Sequence, residues 1–330
     1  MSHAGPRLSL LDLATVGRDQ PISEALEASV TLAQKADELG TFERLWFAEH
    51  HNMPSIASAA TAVLLAHVAA RTERIRVGSG GVMLPNHSPL VIAEQFGTLA
   101  ELHPDRIDLG LGRAPGTDQV TMRALRVDPR ASDRFEQDVL ELQGYLSDES
   151  IVPTINAIPG RGTKVPLHIL GSSLFGAHLA ARLGLPYAFA SHFAPDALQA
   201  AVAVYRNEFQ PSEQLSVPHV IAALNVVVAD EQEQAEALGA SVLRSRVRSL
   251  ASRVPAYAGR LTDADIDLLL HSPVGQQAQH MLTYSAVGDA DTVGRYLTWF
   301  AEHADADELM VVNAAPGLDS RLRALELLAG

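Results

Sequence analysis

The side chains best suited to chemistry stand just after short apolar runs. Leu45-Trp46-Phe47 leads directly into Ala48-Glu49-His50-His51. A histidine in such a place can give or take a proton near neutral pH, and the carboxylate of Glu49 could orient its ring. Consecutive side chains at a strand end point to opposite faces, so at most one of the two histidines looks straight into a site. Structural packing and metal ligation compete with this reading. The stretch has no His-x-His or His-Glu-x-x-His spacing, which counts against a metal.

Three further stretches could hold a ligand. Gly78-Ser79-Gly80-Gly81-Val82-Met83-Leu84-Pro85 is rich enough in glycine for a flat molecule to approach the backbone; glycines that relieve crowding between strand and loop are an equally good account. Gly110-Leu111-Gly112-Arg113-Ala114-Pro115-Gly116 looks superficially like a dinucleotide fingerprint, but Pro115 and Gly116 interrupt where a helix must open. Arg113 suits a phosphate or carboxylate clamp, a surface salt bridge being the plainer reading. Gly171-Ser172-Ser173 precedes a helical stretch, so hydroxyls and unpaired N–H groups could receive an anion or merely cap the helix. Arg113 and the serine pair together make a bound phosphate the more economical account. His192 follows a later apolar run and could line the same mouth. His67 and His178 lie in helical patterns and read as packing or rim residues. Asn225 lies inside a strand, where a buried amide needs partners.

The elements that must carry these groups alternate. Apolar runs at Leu8–Leu11, Leu45–Phe47, Ile75–Gly80, Ile107–Leu111, Leu167–Leu170, Tyr187–Ala190, Val220–Val228 and Glu308–Val312 are separated by helical stretches such as Ser23–Leu39, closed by Gly40, and Ala57–Ala70. Repeated βα units in one wrap predict an α/β fold, a (β/α)8 TIM barrel formed by residues 1–330 as one domain, with extended βα loops. Active sites of such barrels lie at the C-terminal strand ends, where the residues above fall. Residues Ser147–Lys164 read as an excursion before the fifth strand. Pro255–His280, broken by Pro and Gly, reads as an insertion after strand 7 that would form a lid.

Bulk composition narrows the function further. The 330 residues are 47% hydrophobic and carry a formal charge of −14. That charge argues against nucleic acid and anionic membrane as partners. The absence of cysteine excludes disulfides, thiolate metal sites and a cysteine nucleophile, and fits a cytoplasmic setting. The start lacks a signal-peptide pattern, and Ala57–Ala70, the most apolar stretch, is too short to span a bilayer.

Taken together, these residues resemble the luciferase-like, flavin-dependent monooxygenases of the non-luminescent branch. The resemblance runs over nearly the whole chain. It is carried by Leu45–His51, Arg76–Gly80, Asp108–Arg113, Gly171–Ser173 with Gly184-Leu185-Pro186, and Val287-Gly288-Asp289, in that order. It implies a barrel that binds reduced FMN, or in some branches the deazaflavin F420. It further implies that a separate NAD(P)H-dependent flavin reductase supplies the reduced flavin. O2 would form a C4a-(hydro)peroxyflavin that oxygenates a small organic substrate. His50 matches the family's active-site histidine, with Glu49 before it. Arg113 and Ser173 match phosphate-binding positions, and Gly171 and Ser172 beside them are cofactor-binding candidates. The backbone around Val82-Met83-Leu84 corresponds to the stretch against the flavin ring, where the family often has a non-proline cis peptide, and the glycines near Ser79, Gly80 among them, would admit the ring. A homodimer formed through the early helices is expected, and no metal.

The departures are specific. Gly112 replaces the reactive cysteine of light-emitting members, which counts against bioluminescence rather than oxygenation. Gly176 replaces a helix-start hydroxyl, and His103-Pro104-Asp105-Arg106 replaces the common Ser-x-Gly-Arg. F420-dependent hydride transfer, a non-catalytic flavin-binding protein, and a metal-dependent barrel hydrolase using Glu49, His50, His51 and His192 remain as alternatives.

Overall fold

The run VIAALNVVV forms a strand, β7 (Val220–Val228), buried at all nine positions. Such continuous burial of β-branched residues is the mark of a parallel strand covered on both faces. The computed structural model describes residues 5–114, 117–252, 254, 257 and 261–330. Seven other strands join β7 in a closed parallel barrel: β1 (Arg7–Asp12), β2 (Phe42–Phe47), β3 (Arg76–Met83), β4 (Ile107–Gly112), β5 (Leu167–Gly171), β6 (Tyr187–Phe189) and β9 (Glu308–Asn313). Neighbours pair in chain order from β1 to β7, and β9 lies between β7 and β1. This is the (β/α)8 barrel that the alternating runs predict.

One strand was not legible in the sequence. Ser285–Gly288 (β8) runs parallel to the upper half of β7, pairing Asn225 with Ser285 and Val228 with Gly288. It continues the edge of β7 that the short β6 occupies lower down, since Asn225 pairs with Val312 of β9 on the other side. The four residues of β8 are too few to show a period.

The helices form the outer layer. Helix α1 (Ile22–Leu39) turns Ala25, Ala28, Leu32 and Ala36 inward and stops at Gly40, whose φ of 67° only glycine adopts without strain. Helix α2 (Thr61–Ala69) starts later than its composition predicts. Ala57 N–H bonds Ala14 O and the Ser58 hydroxyl bonds Leu13 O, which ties these residues to the loop after β1 instead. Helices α3 (Pro89–Leu102), α4 (Gln119–Ala124), α5 (Phe135–Leu146), α6 (Leu174–Leu183) and α7 (Leu198–Glu208) follow. After β7 come α8 (Gln232–Ala251), α9 (Asp263–Leu269) and α10 (Pro273–Met281), then α11 (Ala290–His303) and α12 (Leu318–Ala329). The expected lid over 255–280 lies partly outside the described residues. Its described part is two short helices packed on α8 through Val247, Ala251, Ile266, Leu269 and Ala278. A Thr262–Asp265 capping box starts the first of them and Ser272 caps the second.

Inside the barrel, Leu11, Trp46, Ala48, Ala188, Ile221, Ala223 and Met310 form a separate apolar cluster. Trp46 is its largest member. A Cβ on Gly78 would meet Trp46 Cδ1 at 2.9 Å, and one on Gly80 would meet Leu11 Cδ1 at 2.8 Å and Trp46 Cβ at 3.0 Å. A Cβ on Gly78 would also meet Asp108 O at 2.6 Å, so these two glycines make room for the indole and, at Gly78, for the close approach of β4. Below Trp46 lies a buried polar plug. Arg44 donates to Asp108 at 2.8 Å and to Glu308 at 2.9 Å, while Trp46 Nε1 donates to Asp108 at 3.2 Å. Ser9 and His219 also donate to Glu308. Each buried charge thus has opposite charge and hydrogen bonds around it, the condition under which burial is tolerated.

Candidate active site at the barrel mouth

Strand parity decides which way the residues after β2 point. Trp46 and Ala48 belong to the interior cluster, and Leu45 and Phe47 to the layer against the helices. Ala48 N–H still bonds Asp12 O at 3.2 Å, so the alternation runs on past the end of β2. Continued to residue 50, that alternation would aim His50 into the mouth and Glu49 and His51 away from it. The half-buried His50 also acts electrostatically on His192, which stands after β6 at the same mouth. Burial pushes the His192 ring down to about 3, and the positive charge of Arg246 and of His50 pushes the same way. His192 is therefore neutral at physiological pH. Its carbonyl accepts the Asn225 amide at 2.8 Å.

Glu49 does more than neighbour a histidine. Its Oε1 accepts from His51 Nε2 and from His87 Nε2, each at 2.8 Å, and its Oε2 accepts from Met83 N–H at 3.0 Å. Burial alone would raise this carboxyl. The His87 hydrogen bond and charge, with the His51 and Met83 bonds, hold it below the ordinary carboxylate value. The expectation that Glu49 orients His50 is thus revised: its oxygens join the β2 end to the turn after β3. The donor atoms of Glu49, His51 and His87 lie within 4.8 Å of one another, a set that could hold a metal. It differs from the set weighed in the sequence, which named His50 and His192 and overlooked His87. The turn Leu84-Pro85-Asn86 that delivers His87 was the available signal.

The glycine-rich stretch divides in two. Ser79 is fully buried and donates its hydroxyl to Gly110 O at 2.8 Å, so its side chain ties β3 to β4. Val82 is buried too, among the residues facing the helices, which removes its side chain from the mouth. Gly80 and Met83 keep some exposure. The non-proline cis peptide lies at Gly80–Gly81 rather than around Val82–Leu84, where the register with β4 shifts between Ser79 and Val82.

On the far side of the mouth, Arg113 is exposed just past β4, and its guanidinium lies 4.1 Å from the centre of the Phe175 ring. Phe175 belongs to the first turn of α6, so Arg113 stands beside that helix start. No ion pair involves Arg113 among the described residues. Ser173 is the N-cap of α6 with extended backbone, and its side chain makes no capping bond. The opening N–H groups of the ten-residue helix and a guanidinium are thus presented together, which fits a phosphate. Gly171 and Ser172 are half-buried at the same strand end. Gly176 is packed close to Tyr187, 3.2 Å from where a Cβ would sit. Arg106, in the divergent His103–Arg106 stretch, bonds Ile75 O and Thr72 O from below the barrel and is structural. His67 and His178 sit at the surface, paired with Arg71 and Glu208.

The family model described as luciferase-like monooxygenase matches residues 7–306. A luciferase-like monooxygenase of Escherichia coli (strain K12) is 46% identical over 97% of this chain and 95% of its own. The crystal structure of apo-MsnO8 superposes with a TM-score of 0.82 at 35% identity, covering 99% of this chain and 97% of that one. At 17% identity the fold is shared with a type II Baeyer–Villiger monooxygenase of Pseudomonas putida. That protein, the oxygenating constituent of 3,6-diketocamphane monooxygenase, was solved in complex with FMN (TM-score 0.74, covering 98% and 97%). The chain belongs to the luciferase-like monooxygenases.

Proposed function

We propose that this enzyme uses reduced FMN and O2 to oxygenate a small, largely apolar organic molecule. The observation that carries the reading is the pairing of Arg113 with the uncapped start of α6 at the mouth. Arg113, Ser172, Ser173 and the first N–H groups of α6 would hold the FMN phosphate. Gly80, Met83 and Gly171 would border the ring. Reduced FMN held there would supply the two electrons that activate O2, one atom of O2 going to the substrate and the other leaving as water.

The chain's own residues do the rest. His50 holds or delivers a proton where the ring meets oxygen. His192, kept neutral by burial, can accept a hydrogen bond there without adding charge. Glu49 positions the wall of the mouth through His51, His87 and the Met83 N–H. Helix α8, which brings Arg246 within electrostatic range of His192, and the helices packed on it would restrict water. A separate NAD(P)H-dependent reductase would supply the flavin. A second copy of the chain would dock on the early helices, where Val63 and Val91 are exposed. Among the described residues no helix is long and apolar enough to cross a membrane.

The test is turnover of the purified protein with FMN, NAD(P)H, a generic flavin reductase and 18O2 against a panel of small substrates. One labelled oxygen in a product is expected, with no turnover when reduced F420 replaces FMN and no loss after chelation. Turnover with F420 alone, or activity abolished by chelation and restored by metal, would replace this reading.

A further inference from the structure

A cavity of about 250 Å³ lies beside the mouth, between the paired strands β7 and β8 and helix α8. Val227, Val287 and Leu282 give it an apolar wall, and Asn225, Ser285 and Glu236 contribute its polar atoms. Asn225 is 1% exposed, and its Oδ1 has no hydrogen-bond partner among the described residues. Its amide orientation is set by Nδ2, which donates to the His192 carbonyl at 2.8 Å. The Ser285 hydroxyl spends its proton on Leu282 O at 2.7 Å, so that oxygen too can only accept. Glu236 adds a carboxylate at the rim. A buried amide oxygen left unpaired is costly, and such a group in an apolar pocket commonly marks a ligand-facing position.

We propose that this cavity is the substrate subsite and that it selects a compact apolar molecule carrying an N–H or O–H donor, which Asn225 Oδ1 receives. The inference rests on the oxygenase reading above and adds the substrate class. The size is adequate: an apolar cavity of about 150 Å³ already admits benzene, so one ring with a short substituent fits. The location is suitable as well, because Asn225 is bonded to His192, which shares the mouth with His50.

Cyclohexanol and cyclohexanone test the claim, since they match in size and differ in whether they can donate. Binding is followed by ligand-observed NMR with the full-length protein, and FMN affinity is measured in parallel by flavin fluorescence. The wild type should bind the alcohol about two- to tenfold more tightly than the ketone, the worth of one net hydrogen bond. Asn225→Leu should erase that preference. Gly239→Val should weaken both ligands, because a Cβ there already lies 3.1 Å from Val287 Cγ1 across the cavity wall. Neither substitution should change FMN affinity. No saturable binding of either probe, equal binding of the pair by the wild type, a preference that survives Asn225→Leu, or undiminished binding by Gly239→Val would overturn the proposal. Failure to bind FMN would instead remove the flavin reading, whatever the alcohol does.

Discussion

Replacing Arg113 with alanine probes the phosphate grip, and riboflavin supplies the control because it lacks only the phosphate. A guanidinium on a phosphate is a charge-assisted contact of about 1.5–3 kcal/mol, or about 10- to 140-fold in affinity. The start of α6 remains after the substitution and contributes about 0.3–1 kcal/mol toward an anion, a factor of about two to five. Wild type should therefore prefer reduced FMN over reduced riboflavin by the product of the two effects. Arg113→Ala should retain only the smaller one. The fold should survive, since Arg113 is exposed and its contact with the Phe175 ring at 4.1 Å is worth about 0.5–1 kcal/mol in such a setting. Anaerobic titration of wild type and variant with each flavin gives four dissociation constants, measured at low and again at high salt. FMN binding should weaken with salt in the wild type far more than in the variant. The reasoning is refuted if Arg113→Ala weakens riboflavin as much as FMN, or leaves the preference for FMN intact.

Three other perturbations address the rest of the site and its support. His50→Ala should cut coupled oxygenation by about a hundredfold or more while hydrogen peroxide release rises and FMN affinity holds; unchanged coupling would remove the proton role. Trp46→Ala should cost about 3–5 kcal/mol in denaturant unfolding, because Gly78 and Gly80 cannot fill the space the indole leaves. Glu308 is held at about 2 instead of its ordinary 4.5, against burial, by His219, Arg44 and Ser9. A depressed carboxyl stabilises the fold above its unfolded value, and that stability is lost as pH falls from about 4.5 toward 2. The stability gap between wild type and Glu308→Gln should therefore narrow by about 3 kcal/mol over that window, and a gap that stays constant would contradict the assignment.

The barrel was legible because its evidence is periodic and local. Eight runs of strand length sit between helical stretches, and burial at every position of Val220–Val228 is what an uninterrupted apolar run means. What escaped the sequence depends on contacts far apart in the chain. Helix α2 starts late because Ser58 bonds Leu13, 45 residues away. His87 joins Glu49 across 38 residues, and no spacing rule links two residues on different loops. Ser79 and Gly80 show a second limit. Their composition suited both a ligand and a crowded strand junction, and the crowding shows only in contacts with distant residues, Gly110 for Ser79 and Leu11 and Trp46 for Gly80.

The position of Trp46 also explains how one strand serves two purposes. Arg44, Trp46 and Ala48 share a face of β2 and its continuation, and they climb in that order from the base toward the mouth and His50. Arg44 needs Asp108 and Glu308 to be buried at all, and carboxylates so near a developing negative charge at the mouth would oppose it. Trp46 stands between them and donates its own N–H downward to Asp108, leaving an apolar ring rather than an acid beneath His50. Glycine at 78 and 80 is the condition for that indole to fit. The spacing of those glycines therefore serves the flavin site indirectly: it admits the partition that keeps the charges of the barrel base out of the chamber where oxygen would react.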